Sequence, residues 1–175
     1  DDKTFSRQIG QLVNLSNLVD NWLFFQAIGG FDNSNKNVYY AARNENGNYR
    51  GYFIPWDLNI SFGAVYADNK YYAEETLEET GTQVQFEPGC RAIALDADHA
   101  RALAKEKWED WKEKAFTAEA LLERAQHLQQ ELTGSGAMAR EMERWPGGNA
   151  STDLSLLTEF TKQRMAYMDS MIDGL

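Results

Sequence analysis

A chain of 175 residues with 43% hydrophobic and 13% aromatic side chains is long enough for one buried core, so a single folded domain over 1–175 is expected. Its 17 Lys and Arg against 27 Asp and Glu leave a formal net charge of -10, which repels phosphodiester backbones and argues against nucleic acid as a partner. The single Cys90 excludes an internal disulfide and a thiolate-rich zinc site, and no apolar run approaches the roughly 20 residues of a membrane span. The first residue is Asp rather than Met, so a processed form or a fragment is expected.

In chain order, Asn14 is placed to cap a helix from Leu15 to Ile28, with Leu15, Leu18, Val19, Trp22 and Phe25 near one face and Gly29-Gly30 ending it. Asn37 to Arg43 and Tyr49 to Ile54 read as strands, and Asn44-Glu45-Asn46-Gly47-Asn48 between them is a hairpin signal. From Ile60 to Gly89 the pattern fades into a polar connection rich in Tyr and Glu, and a loop this long in a compact domain is either functional or partly mobile. Asp96 or Asp98 starts a helix to about Lys114, with Leu103, Trp108 and Trp111 as core positions. Thr117 caps the next, through about Leu132, and Ser135 opens a short helix to Arg144, broken by Pro146-Gly147-Gly148. Thr152 caps the last, to about Asp173, with Leu157, Phe160, Met168 and Met171 at helical spacing. The expected fold class is α+β and mostly helical, with one β-hairpin flanked by helices. The hairpin core spans about 15–63 and the helical part about 90–175.

The chemistry concentrates between Asp32 and Asp57. Asp32 is followed five residues later by Asn37, then by the two strands, and then by Pro55-Trp56-Asp57. Phosphoryl transfer needs an acceptor for the nucleophile's proton and oxygen ligands that fix a hard cation against the phosphates. Asp32 offers the acceptor, Asn37 one ligand, and Asp57 at the end of the second strand another. Each residue also has a local explanation. Asp32 is of a type favoured in turns, Asn37 stands at a strand entry, Asp57 can cap a turn, and Trp56 is expected in the core rather than stacked on a base.

Asp32-x-Ser34-x-Lys36 resembles a calcium loop only superficially, because it places a Lys at a ligand position. Arg164 falls in an apolar stripe and is expected in a structural ion pair. Gly134-Ser135-Gly136 is expected to be a plain turn, His99 and His127 to be exposed, and Cys90 to be inert. Asn14, Asn59 and Asn149 head Asn-x-Ser sequons, relevant in a glycosylating secretory host.

The stretches Asn17-Leu18-Val19-Asp20-Asn21-Trp22, Asp32-Asn33-Ser34-Asn35-Lys36-Asn37-Val38-Tyr39-Tyr40 and Gly51-Tyr52-Phe53-Ile54-Pro55-Trp56-Asp57-Leu58-Asn59, closing at Phe62-Gly63, resemble the spore-coat protein H (CotH-like) kinase family. Leu154 to Ile172, with Phe160 and Arg164, is similar to the family's last helix. The resemblance implies the carboxy-terminal lobe of an atypical protein kinase, secreted, on the cell surface or associated with a spore coat. It implies ATP as phosphate donor, Mg²⁺ or Mn²⁺ as metal, and Ser or Thr of a surface or coat protein as acceptor. Carried across, Asp32 resembles the catalytic Asp, Asn37 and Asp57 the metal-binding pair, and Asp20 a support for the loop from the preceding helix.

Two departures stand out. Asn59 occupies the place of the second acidic residue in the family's Pro-Trp-Asp-x-Asp, which removes a negative charge at or beside the metal. Nothing before Leu15 resembles an amino-terminal nucleotide-covering lobe, and Lys3 and Arg7 have no assigned place. An alternative of a different class is therefore a non-catalytic surface or coat scaffold with a kinase-derived fold, using Tyr66 to Phe86 as its contact surface.

Overall fold

The computed structural model describes residues 1–34, 36–67, 70–72, 81, 83–114, 116–147 and 152–175, with the backbone alone described for 65–67 and 70–72. Helix α1 (Asp2–Leu12) is an addition to the expected elements. Asp1 caps it by accepting the Thr4 N–H at 2.8 Å, and Ile9 is its one buried residue. With a single buried position and Gly10 in its interior, its apolar stripe is too thin to show in the sequence.

Helix α2 (Leu15–Ile28) has the expected bounds. The Asn14 side chain accepts the Asn17 N–H at 2.9 Å, and Gly29 in the left-handed region (φ 63°) ends the helix. Its burial goes well beyond one face: Leu18, Val19, Asn21, Trp22, Leu23, Phe25, Gln26, Ala27 and Ile28 are all buried. A helix enclosed on nearly all sides must find partners for its polar side chains. Here those side chains dock the neighbouring elements.

Strands β1 (Val38–Glu45) and β2 (Asn48–Pro55) form an antiparallel hairpin in register from Val38 opposite Pro55 to Glu45 opposite Asn48. The connecting turn is Asn46-Gly47, both with positive φ (53° and 90°), as a tight hairpin turn demands. The outer edge of β2 is covered by α2 and the residues before it. The Gly51 carbonyl accepts the Asn14 N–H at 2.9 Å, and the Phe53 N–H donates to Asn17 Oδ1 at 2.7 Å. The Phe53 carbonyl accepts from the amides of Asn17 (3.2 Å) and Asn21 (3.1 Å). Three asparagines on one helix face thus replace a third strand.

Within the expected loop from Ile60 to Gly89, β3 (Ala64–Ala67) pairs with β4 (Lys70–Tyr72), and residues 68, 69, 73–80 and 82 lie outside the described part. The loop ends early, because helix α3 (Glu87–Ala94) already begins at Glu87 with Pro88 in its first turn, a position proline tolerates. Gln26 draws the preceding segment in by donating to the Val84 carbonyl (2.7 Å) and accepting the Val84 N–H (2.8 Å). Phe86 then stands edge-on to both Phe25 (5.2 Å) and Phe53 (5.3 Å).

Helix α4 (Ala100–Glu113) starts later than Asp96 or Asp98, because Asp96, Asp98 and His99 all have positive φ and turn the chain sharply. Asp96 still serves the helix start by accepting the Arg101 N–H at 3.0 Å, and Arg101 returns to the carbonyls of Ile93 and Ala94 at the end of α3. Thr117 caps α5 (Ala118–Gly134) as expected. Helix α6 (Ala137–Arg144) begins two residues after Ser135, behind Gly136 at φ 70°. Helix α7 (Ser155–Asp173) starts three residues after Thr152, since the Asp153 carboxylate takes the Ser155 N–H at 2.9 Å. That hydrogen bond holds the Asp153 carboxyl below its ordinary pKa.

Helices α3, α4 and α7 and strand β2 all pack on α2, whereas α5 and α6 contain no buried residue. Among the expected core positions Leu18, Val19, Trp22, Phe25, Trp108, Phe160 and Met168 are buried, and Leu15, Leu103, Trp111, Leu157 and Met171 are half-buried. Asn17→Ala removes two of the three hydrogen bonds that hold Phe53 to α2, leaving that of Asn21, and should lower unfolding free energy by about 2 kcal/mol. Urea unfolding measures this, and a change within error would show that α2 is not what anchors the hairpin edge.

Candidate functional site

The site is built where α2 ends. Gly29 turns the chain, and Phe31–Asn33 form a single 3-10 turn that presents Asp32 half-exposed and Asn33 fully buried. Asn33 is the clasp. Its amide nitrogen donates to the carbonyls of Asn37 and Trp56, both at 2.9 Å, and the Trp56 N–H donates to the same Asn37 carbonyl at 2.9 Å. One buried side chain thereby ties the 3-10 turn to both ends of the hairpin, while its own Oδ1 has no hydrogen-bond partner.

Asp32 and Asn37 are brought together: the Asn37 amide nitrogen donates to Asp32 Oδ2 at 2.6 Å. Lys36 Nζ lies 2.9 Å from the other oxygen, Oδ1. Asn37 (φ 58°) and Asp57 (φ 53°) both have left-handed backbones, one just before β1 and one just after β2. Asn and Asp are the side-chain-bearing residues that adopt this conformation most readily. The hairpin's register carries both to its open end, because Trp56, beside Asp57, bonds directly to Asn37.

Two glycines hold the frame. A side chain at Gly29 would lie 2.6 Å from the Phe160 ring, and one at Gly63 (φ 83°) would lie 3.0 Å from it. The Phe62 N–H reaches back to the Ile28 carbonyl at 2.7 Å, so the segment after Asp57 closes on the end of α2. One turn further along α7, buried Arg164 donates from Nε to the Gln26 carbonyl at 2.5 Å and lies over the rings of Tyr167 (4.7 Å) and Phe31 (5.7 Å). Burial pushes its guanidinium down to about 10, so it stays charged at neutral pH. Among the described residues its contacts include the Gln26 carbonyl, the Gln26 amide oxygen at 3.3 Å and these two ring faces.

The remaining expected residues are placed as follows. Asp20 makes an ion pair with Lys107 of α4 at 2.7 Å, and no hydrogen bond joins it to the 32–37 loop among the described residues. Asn59 is exposed, as are His99 and His127. Trp56 is not a core residue: it is 57% exposed and leans on Tyr39, ring centroids 5.2 Å apart, because β2 has already left the body of the domain there. Cys90 is half-buried, its thiol donates to the Val84 carbonyl at 3.3 Å, and burial pushes its pKa up. The sequon at Asn149 lies outside the described residues, and the Asn14 amide is occupied by Glu45 and Tyr52.

Sequence reasoning missed Asn33 and the pairing of Lys36 with Asp32. The available signal was weak: a run of Asn beside an Asp suggests a turn but not which amide faces inward.

The donors fit a hard cation in kind. Asn37 uses its amide nitrogen on Asp32, which leaves its Oδ1 without a hydrogen bond, and the exposed Asp57 carboxylate has none either, among the described residues. Oxygen donors of this type suit Mg²⁺ or Mn²⁺. No group of three or more His, Cys, Asp or Glu is placed to hold a metal among the described residues.

The family model for the CotH kinase protein matches residues 1–168. This chain belongs to the CotH kinase family. No curated protein and no solved structure matches it. The CotH match includes α1 and the whole of the Asp32–Asp57 region, and it extends into α7 past Phe160 and Arg164. The kinase-related character of the chain therefore rests on nearly all of its length.

Asn33→Ala removes the CotH hairpin's clasp. It should cost about 2 kcal/mol and speed hydrogen exchange at the Trp56 amide. An unchanged Trp56 exchange rate would mean that Asn33 does not hold the two ends of the hairpin together.

Proposed function

We propose that this chain is the metal-binding lobe of a CotH-like protein kinase that transfers the ATP γ-phosphate to Ser or Thr of a surface or coat protein. The observation that carries it is the Asp32–Asn37 hydrogen bond at the open end of the hairpin, with Asp57 in the adjoining left-handed position. In this role Asp32 takes the proton of the acceptor hydroxyl as its oxygen bonds to the γ-phosphorus and the bond to the ADP oxygen breaks. Asn37 orients the Asp32 carboxylate through its amide nitrogen, and Lys36 steadies the other oxygen. Asn37 Oδ1 and the Asp57 carboxylate would hold Mg²⁺ or Mn²⁺, which when bound neutralises charge on the phosphates. The lobe works with an amino-terminal lobe that supplies basic contacts to the nucleotide. Secretion to the cell surface or spore coat accords with the family.

A second function, a kinase-derived scaffold without catalysis, draws support from two observations. Both Asp32 oxygens already have partners, and Asn59 carries no charge. Much of the contact surface expected between Tyr66 and Phe86 lies outside the described residues.

The test is transfer of labelled γ-phosphate from ATP by the full-length gene product with Mg²⁺ or Mn²⁺. Asp32→Asn should lower the rate roughly 100-fold or more. Asp57→Gly keeps the left-handed turn while deleting the carboxylate, so it should abolish metal-dependent nucleotide binding with little loss of stability. Asn59→Asp should tighten metal binding. No label on protein, and no metal-dependent ATP binding by either the wild type or Asn59→Asp, would establish the scaffold.

A further inference from the structure

Among the described residues, strand β1 is an open edge. Its register makes Glu45 and Asn48 a hydrogen-bonded pair across a two-residue turn, so odd-numbered residues of β1 face β2 with both backbone groups. The N–H and C=O of Val38, Tyr40, Ala42 and Asn44 then point outward, and among the described residues no hydrogen bond reaches them. Six of the eight β1 residues, Tyr39 to Asn44, are exposed, with Tyr40 74% and Tyr39 55% accessible. Natural edges are usually blunted by proline, lysine, a bulge or a cover. Strand β1 contains no Pro or Lys and pairs with β2 without a register shift. The opposite edge, on β2, is covered at Gly51 and Phe53 by Asn14, Asn17 and Asn21.

We infer that β1 pairs antiparallel with β1 of a second copy of this chain, about a two-fold axis at Ala41, to give a four-stranded sheet. The strand is self-complementary in this register. Tyr40 falls opposite Ala42 of the second copy, so a large ring meets a methyl group. Tyr39 falls opposite Arg43 of the second copy, a ring beside a guanidinium. All four outward residues find mates: Val38 with Asn44, and Tyr40 with Ala42, each in both directions. Slipping the register by one residue would place paired side chains on opposite faces, which the pleat forbids. The body of the domain leaves room for the second copy. The buried Phe53 places it under β2, whereas β1 is exposed on both faces. The net charge of -10 on each copy opposes association, so added salt should strengthen the dimer.

Light scattering across the micromolar range should show a concentration-dependent dimer, tighter at high salt. Ala41 faces itself across the axis as a non-hydrogen-bonded pair, whose close Cα spacing suits a disulfide. Ala41→Cys should therefore cross-link on mild oxidation and Ala42→Cys should not, with the wild type oxidised alongside to report any dimer through Cys90. Ala42→Pro removes only an outward N–H, so it should be monomeric with an unchanged circular dichroism spectrum. Three results would each overturn the dimer: a monomer throughout with no Ala41→Cys cross-link, a dimer that survives Ala42→Pro, or equal cross-linking at both cysteines. If Ala42→Pro unfolds, the two cysteine variants decide alone.

Discussion

The structure depends on the enclosure of α2. A helix buried on nearly every side must find partners for most of its amide groups, and each amide that finds a partner fixes a neighbour. Asn17 and Asn21 satisfy the Phe53 backbone and so set the height of the hairpin on the helix. Gln26 takes the Val84 backbone on one side, while its own carbonyl receives Arg164 from α7 on the other. An unpaired buried amide costs about 1–3 kcal/mol, comparable to the cost of emptying a core position. Polar groups of α2 are therefore as decisive for the packing as its Trp22, Leu23 and Phe25.

From that helix the site inherits its position. Phe160 fits between Gly29 and Gly63, so α7 presses the start and the return of the loop together. Arg164 lies one turn further along, against Phe31, the residue before Asp32. Both α7 residues thus help decide where the backbone of Asp32 runs. The buried guanidinium is a constraint of the frame, tying α7 to the end of α2.

The site and the hairpin behind it differ in character. At the open end Asp32, Lys36, Asn37 and Asp57 are held by short contacts and by two left-handed residues. Along β1 the backbone is unprotected and the tyrosines are open to solvent. A strand this regular and this exposed is an association surface by its physics, and its pairing with a second copy would add two strands without disturbing α2.

Capped helices and the hairpin were legible in the sequence because their signals are local: Asn14 and Gly29 bracket α2, Asn46-Gly47 makes a tight turn, and Thr117 starts α5. Asp32, Asn37 and Asp57 could likewise be singled out by residue type and spacing. Helix α1 was not legible, having one buried residue, and the start of α4 was misplaced because three successive turns of the chain at Asp96, Asp98 and His99 depend on packing against α1. Trp56 was expected inside, since an aromatic side chain is apolar wherever it stands. Only the path of β2 past the core could show it outside. By itself the sequence determined the bounds of α2, the hairpin of β1 and β2 and the capped start of α5, whose signals lie within a few residues. The tertiary structure alone decided that Asn33 is the clasp, that Arg164 belongs to the frame and that β1 is an open edge. Those outcomes depend on which backbone groups remain unpaired once the chain is folded, and no local pattern records that.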